Sequence, residues 1–249
     1  MALIARALAP LPDIRPGDDL AALLAAAAPA DLFDGDVLVV AHKVVSKAEG
    51  RVRRLEEIEP GERARTLAAE HGKDPRLVQA VLDEAVEIVR ARDGVLVCET
   101  PHGFVCANAG VDQSNASHPG ELVLLPEDPD GSARRLREGV AKASGRRPAV
   151  VVADSFGRAW RLGQTDVAIG AAGLVPLDRW IGRADAYGRE LRATSIGIAD
   201  AVAAAADLAR TKVSREPAVL IRGLERYVIA DDGPGAAALR RPREQDLFR

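Results

Sequence analysis

The chain has 249 residues, of which 47% are hydrophobic and 29% are charged, with 34 Lys and Arg against 37 Asp and Glu. This length can bury the core of one large domain or of two small interlocked ones. The near balance of charge excludes a general nucleic-acid binder, which needs a basic excess to neutralise phosphates.

The sequence carries no sign of export or of a membrane span. Cys98 and Cys106 are too few for a disulfide-stapled scaffold, and the N-terminus lacks the basic start and apolar core of a signal peptide. The longest apolar stretch, 20–30, is mostly alanine and is about half the roughly 20 residues that a bilayer crossing requires. We therefore expect a cytoplasmic protein without a membrane segment.

The first 50 residues predict two strands and one helix. An apolar run at 3–8 predicts a strand, and the prolines and glycine of 9–17 predict a loop. An alanine-rich helix follows, with Asp18 or Asp19 as its N-cap. The β-branched run 36–40 predicts a buried strand that leads directly into the polar stretch 42–47.

The middle of the chain predicts a helical region and a hairpin. Apolar residues recur at helical spacing over 62–91, and Pro75 divides this stretch into two predicted helices. Two short apolar runs, 95–98 and 104–107, flank a turn and predict a hairpin that leads into the polar loop 108–115. Because Cys98 and Cys106 flank that turn almost symmetrically, we expect buried neighbours rather than a redox pair.

The last hundred residues begin with the clearest strand of the sequence, 149–153, which we expect to end in a polar loop at 154–158. A small-residue segment at 168–173, an alanine-rich helix near 199–210 and a strand at 218–221 follow. We expect the Pro- and Gly-containing tail after Asp231 to lie on the surface.

The sequence lacks several common motifs. It has no Gly-x-Gly-x-x-Gly after the first strand and no Gly-x-x-x-x-Gly-Lys-Ser/Thr, so a bound nucleotide must be held in another way. It also has no His-Glu-x-x-His, no Cys-x-x-Cys and no Gly-x-Ser-x-Gly. Zinc proteolysis and serine hydrolysis at a nucleophile elbow are thereby excluded.

Oxygen-bearing side chains follow two of the predicted strands, Asp112 with Asn115 and Asp154 with Ser155. Carboxylate and hydroxyl oxygens suit hard cations such as magnesium or manganese. The alternative is that each aspartate only accepts hydrogen bonds from the backbone of its own turn.

Cationic side chains accompany these oxygens. Lys47 follows a buried strand and is placed to meet a phosphate, while Arg158 and Arg161 are spaced to share one face toward an anion. The alternative is that all three are solvated surface charges. His42 by itself indicates no more than a polar residue at a strand end.

Seven blocks in this order resemble the coenzyme F(420)-0:L-glutamate ligase family (the CofE family). The blocks are LPDI at 11–14, GDVLVV at 35–40, VSKAEGR at 45–51, NAGVDQSN at 108–115, DPDGS at 128–132, DSFGR at 154–158 and YGREL at 187–191. The resemblance is to the N-terminal half of a two-domain actinobacterial form. It implies one ligase domain over 1–249, or two interleaved subdomains, without the flavin-binding second half.

The resemblance implies a GTP-dependent amide ligase that joins L-glutamate to the phospholactyl carboxylate of coenzyme F(420)-0 and then adds further γ-linked glutamates. It implies two divalent cations, magnesium or manganese, with help from potassium. The implied fold is α+β with mixed sheets, neither P-loop nor Rossmann, in an interlocked homodimer. No nucleic-acid or membrane partner is implied.

Site residues follow from the same resemblance, by matching position. The implied GTP contacts are Leu11, Pro12, Asp13, Ile14, His42, Lys43, Lys47 and Asn115, and the implied metal ligands are Asp112, Asp154 and Ser155. Lys47, Arg158 and Arg161 are the candidate catalytic cations, Lys47 at the transferred phosphoryl group and the arginines at a phosphodiester or carboxylate. Two alternatives stay open: the same ligase chemistry on another carboxylate, and a non-catalytic GTP-binding module.

Overall fold

The structure, a computed structural model, describes residues 2–247 and combines helices and strands in a mixed α+β arrangement with several sheets. The strands are β1 (Ile4–Ala7), β2 (Val37–Ala41), β3 (Val52–Arg54), β4 (Glu87–Arg92), β5 (Val95–Glu99), β6 (Val105–Ala107), β7 (Glu121–Val123), β8 (Ala149–Arg158), β9 (Arg161–Ala172), β10 (Leu177–Arg179), β11 (Ser195–Gly197) and β12 (Ala218–Arg222). The helices are α1 (Leu20–Ala27), α2 (His42–Ala48), α3 (Glu62–His71), α4 (Pro75–Asp83), α5 (Pro129–Ser144) and α6 (Ile198–Asp207).

A five-stranded sheet in the order β1-β12-β2-β8-β9 forms the centre of the molecule. Its middle pair, β2 and β8, runs parallel, and the other neighbours are antiparallel. Strands buried on both faces are continuous apolar runs rather than alternating ones. This explains why 37–40 and 149–153 contain only Val, Leu and Ala.

Helices cover both faces of this sheet. On one face, Leu38 and Val40 of β2 pack with side chains of α1 and α5. On the other face, Val37 and Val39 pack with the alanine-rich side of α6. The small side chains of α6 allow its backbone to approach the sheet closely, so that many small contacts replace a few aromatic ones.

A second core lies beside the central sheet. It is formed by α3, α4 and the three-stranded sheet β4-β5-β6, and the antiparallel pair β3-β7 joins it. Val78, Leu96 and Leu122 are among its fully buried side chains. Val111, at the start of the chain segment that enters the cleft described below, belongs to this second core.

Several local predictions are confirmed. The side chain of Asp19 caps α1 by accepting a hydrogen bond from the Ala22 N–H at 3.0 Å. Pro75 is the first residue of α4. Cys98 and Cys106 lie opposite each other on β5 and β6 as buried free thiols, and burial raises the pKa of Cys106 to about 12.

The polar stretch 42–47 forms most of helix α2, which begins directly where β2 ends. Two predictions are wrong. The predicted helices extend too far, because 87–92 is strand β4, which pairs with β5. The stretch 154–158 is no loop, because β8 continues through it and its backbone stays paired with β9 as far as Arg158.

Within the described residues 2–247, no helix is both long enough and apolar enough to cross a membrane.

Candidate active site

A cleft of about 940 Å³ opens at one edge of the central sheet. The parallel strands β2 and β8 both end there, and the antiparallel β12 begins there, since the Ala41 N–H donates to the Pro217 carbonyl at 2.8 Å. Five chain regions form the wall. They are 11–14, the start of α2, 112–117, the paired parts of β8 and β9 around Ser155 and Asp166, and segment 210–217.

Strand β8 carries Asp154 and Ser155 into this cleft on opposite sides. Successive side chains of a strand alternate between its two faces. Asp154 lies toward His42 of α2, and Ser155 lies opposite Asp166 of β9. The strand therefore divides the polar floor of the cleft into two parts.

Asp154 is the more buried of the two candidate carboxylate ligands, with 15% of its side chain exposed. His42 Nε2 lies 3.2 Å from Asp154 Oδ1, and the Ser155 N–H donates to the same oxygen at 2.8 Å. Burial raises the pKa of Asp154. The interaction with His42 and the hydrogen bond from the Ser155 N–H lower it by more than burial raises it, so the pKa lies below its ordinary value. Asp154 is thus an anion near neutral pH.

Asp112 lines the same cleft and follows Val111 of the second core. Lys43 Nζ lies 2.6 Å from Asp112 Oδ2, and the Ser114 N–H donates to Asp112 Oδ1 at 2.7 Å. Burial raises the pKa of Asp112, and the hydrogen bonds from Lys43 and Ser114 outweigh that effect, so the pKa is lowered overall. The Lys43 ammonium also lowers the pKa of Asp154, as the last and smallest contribution after burial, His42 and Ser155.

The turn before Asp112 holds three successive residues in the left-handed region. Their φ angles are 53° at Asn108, 52° at Ala109 and 75° at Gly110. A Cβ at Gly110 would lie 2.6 Å from Leu125 Cγ, so this position requires glycine for space as well as for φ. The turn therefore fixes the position at which the chain passes from the second core into the cleft at Asp112.

The loop at 11–14 forms another wall of the cleft, and contacts of Ile14 with the core and of Asp13 with Lys47 and Ser117 hold it in place. Ile14 is buried in the main core, which leaves Asp13 beside the cleft. Lys47 Nζ lies 3.6 Å from Asp13 Oδ1, and the Ser117 hydroxyl donates to the same oxygen at 3.1 Å. Asn115, with φ of 56°, lines the cleft in the same stretch as Ser117.

The predicted GTP and metal residues thus surround one cleft. Residues 11–14, His42, Lys43, Lys47, Asp112, Asn115, Asp154 and Ser155 all line it. The His42 imidazole is only 2% exposed and is directed at Asp154. A contact of its side chain with GTP stays a prediction.

Arg158 and Arg161 are not brought to this wall. They lie at the tip of the β8–β9 hairpin, where both are exposed. The Arg158 guanidinium donates to the Leu162 carbonyl at 2.7 Å. Their catalytic role stays a prediction, and among residues 2–247 neither arginine lines the cleft.

Sequence reasoning missed a basic part of the cleft. Arg210, Lys212 and Arg215 all line it, as do Gln164 and Asp166. The available signal was three basic residues in the stretch directly before a buried strand, whereas Lys47 was singled out because it follows one. Asp166 gave no such signal, because its position depends on the pairing of β9 with β8.

The donor chemistry of the cleft fits a hard divalent cation. Within residues 2–247, no three His, Cys, Asp or Glu side chains converge on one metal position. Asp112, Asp154 and Ser155 instead offer two carboxylates and a hydroxyl. Magnesium ions commonly use one or two protein carboxylates together with phosphate oxygens and water. A cation at these residues would therefore keep coordination positions for water or for the oxygens of a phosphate-bearing ligand.

Comparison with known proteins gives a consistent result. Residues 9–223 match the family described as F420-0:Gamma-glutamyl ligase. A protein of Methanothermobacter thermautotrophicus named Coenzyme F420:L-glutamate ligase is 46% identical over 243 residues, which cover 96% of each chain. Proteins of the same name from Methanopyrus kandleri and Archaeoglobus fulgidus are 47% and 45% identical, over 95% and 96% of this chain and 93% of each relative. The protein is therefore an enzyme that belongs to the F420-0:Gamma-glutamyl ligase family.

Proposed function

We propose that this protein joins L-glutamate to coenzyme F(420)-0 in a GTP-dependent reaction carried out in the cleft at the edge of the central sheet, and then adds further γ-linked glutamates. The observation that carries the proposal is the convergence of the loop at 11–14, Lys47 and the oxygens of Asp112 and Asp154 on one cleft. The names of the archaeal relatives, whose matches cover almost the whole chain, support the choice of substrates.

Amide formation from a carboxylate requires activation, because a carboxylate anion is a poor electrophile. In the proposed reaction, a carboxylate oxygen of F(420)-0 attacks the γ-phosphorus of GTP, and the bond to the bridging oxygen of GDP breaks. The resulting acyl phosphate is attacked by the amine nitrogen of glutamate. Inorganic phosphate leaves, and the nitrogen loses a proton. No covalent bond to the enzyme is required.

All reactants are anions, so the cleft must reduce their repulsion. Lys43 and Lys47 place two ammonium groups on the wall, each beside an aspartate. Fixed positive charge that meets a transferring phosphoryl group stabilises its transition state. Magnesium or manganese held by Asp112, Asp154 and Ser155 would supply further charge neutralisation at the phosphate oxygens.

The burial of Asp154 matters for the same reason. Electrostatic interactions are stronger where water is excluded. Asp154 lies in such a place and stays ionised because of His42 and the Ser155 N–H. The site therefore keeps a negative charge at its floor, which attracts a cation rather than the substrates themselves.

The test uses the purified chain with F(420)-0, L-glutamate, GTP, magnesium and potassium. We expect the deazaflavin to gain the mass of one glutamyl residue, with one GDP and one phosphate per addition, and products with further glutamates at longer times. Omission of glutamate, of F(420)-0 or of magnesium should each abolish the mass gain. Sedimentation of the same sample tests the homodimer that the family resemblance implies.

GTP turnover without a mass gain on any deazaflavin acceptor would contradict the proposal. An acceptor that carries the same phospholactyl group but lacks the deazaflavin ring is the matched control. If both acceptors gain glutamate at equal kcat/KM, the protein is a ligase of broader carboxylate specificity.

A further inference from the structure

A buried aspartate outside the predicted site residues forms the floor of the cleft beneath Ser155. Asp166 is 1% exposed and lies directly opposite Ser155 on the neighbouring strand β9. The Ser155 hydroxyl donates to Asp166 Oδ1 at 2.5 Å, and the Arg210 guanidinium donates to Asp166 Oδ2 at 2.6 Å. Each carboxylate oxygen therefore has its own partner.

Arg210 links this carboxylate to segment 210–217. Its second nitrogen donates to the Pro217 carbonyl at 2.9 Å, directly before β12 begins. Two residues beyond Arg210, Lys212 Nζ donates to Ser155 Oγ at 2.8 Å. Ser155 thus lies between a buried anion and an exposed ammonium.

The direction of the Ser155 hydroxyl proton follows from these contacts. A serine hydroxyl has one proton and two lone pairs. Asp166 is the acceptor for the proton, because an ionised carboxylate can only accept. One lone pair accepts from Lys212, and the other is left for the cleft. Ser155 therefore presents only acceptor capacity to whatever binds there.

We propose that Asp166 is a positioning residue that fixes the Ser155 hydroxyl as an oxygen ligand for a divalent cation. This inference rests on the proposed function only in taking Ser155 as a cation ligand. Groups that hydrogen-bond to a metal ligand orient it and raise its basicity. Asp166 does both for Ser155, and through Arg210 it also holds the wall that carries Lys212.

A second acid–arginine pair in the molecule provides a matched control. Asp36 is fully buried, and its two oxygens accept from Arg222 at 2.7 and 2.8 Å. Neither residue lines the cleft. Replacement of either acid by asparagine removes a buried counter-charge of an arginine, so both variants should lose stability, although Arg222 keeps its ion pair with Asp31 at 2.7 Å. Only one of them adjoins Ser155.

Asparagine is an informative replacement for Asp166 because it keeps the shape and reverses one hydrogen bond. Its carbonyl oxygen will turn to the charged Arg210, which is the stronger donor. Its NH2 group then donates to Ser155 Oγ and occupies a lone pair. The serine proton must point into the cleft, where it repels a cation.

The experiment is a titration with manganese ions alone, followed by electron paramagnetic resonance, on the purified chain and its variants. We expect Asp166→Asn and Ser155→Ala each to weaken manganese binding about 10-fold. The double variant should bind no more weakly than Ser155→Ala, because Asp166 acts through the serine. Asp36→Asn should keep the affinity of the parent chain while its melting temperature falls.

The inference is overturned if Asp166→Asn binds manganese like the parent, if the two losses multiply in the double variant, or if the parent binds no manganese. If Asp166→Asn does not fold, Asp166→Asn with Arg210→Gln removes both buried charges and should show the same weakened binding. The titration contains neither GTP nor F(420)-0, so a chain that passes it without ligating glutamate loses the proposed function and keeps this inference.

Discussion

The Asp154 carboxylate and the Ser155 hydroxyl, on the two sides of strand β8, have different surroundings in the cleft. On the Asp154 side, the cleft is lined by two carboxylates with lowered pKa values, and the Lys43 ammonium contributes to the lowering of both. On the Ser155 side, a neutral hydroxyl lies between a buried anion and an ammonium. The first side attracts a cation by charge, and the second directs a lone pair at it. Loss of a charge should therefore cost more than loss of the hydroxyl.

The largest effect is expected for Asp154→Asn. The substitution keeps the shape of the side chain and removes the charge at the most buried of the candidate ligands. We expect turnover to fall about 100-fold or more, equivalent to about 3 kcal/mol of transition-state stabilisation. Steady-state kinetics over a range of magnesium concentrations will measure this. Asp93→Asn, which removes an exposed carboxylate outside the cleft, is the control. Near-normal turnover of Asp154→Asn would show that Asp154 is not part of the site.

A smaller effect is expected for Lys47→Ala. The Lys47 ammonium is on the wall beside Asp13, and we expect kcat/KM for GTP to fall at least about 10-fold when that charge is lost. Lys142→Ala removes an exposed lysine that pairs with Glu138 on α5 and should leave the kinetics unchanged. Equal effects of the two substitutions would show that Lys47 acts only through the overall charge of the protein.

The hydroxyl side is tested by Ser155→Ala and Ser155→Thr. The alanine variant should need about 10-fold more magnesium for half-maximal rate, and the threonine variant should resemble the parent because it keeps the hydroxyl. Ser144→Ala, which removes a hydroxyl at the end of α5, is the matched control. If Ser155→Ala costs as much as Asp154→Asn, the contrast between the two sides is wrong.

The smallest effect concerns acid stability. The folded-state pKa of Asp112 is below its ordinary value, so its ionised form stabilises the fold above the unfolded pKa, and this contribution is lost as pH falls through the folded pKa. Between about pH 5 and pH 3, Asp112→Asn should therefore lose less stability than the parent chain. Thermal melts of both proteins across this range measure the difference, and parallel curves would contradict the lowered pKa.

Sequence reasoning succeeded where the signal was local. The Asp19 cap, the helix start at Pro75 and the valine-rich strands depend on neighbours in the chain. Asp154 was found because it directly follows an apolar run. The oxygen-bearing residues indicated a hard cation, whereas GTP, the number of cations and the roles of individual residues came from the resemblance.

The errors occurred where distant pairing decides. Residues 154–158 are polar, yet they form a strand because β9 supplies backbone partners for them. Asp166 reaches Ser155 only through the register of that pairing, and Arg210 reaches Asp166 only because β12 begins at the end of β2. No spacing along the sequence encodes these contacts.

The left-handed turn at 108–110 has a consequence for the cooperativity of the molecule. Ala109 within the turn is buried in the second core, whereas Asp154 extends from the central sheet. The two candidate carboxylate ligands therefore belong to different cores. A cation bound by both would favour only states in which the two cores are correctly docked, and by mass action it would link their unfolding into a single transition.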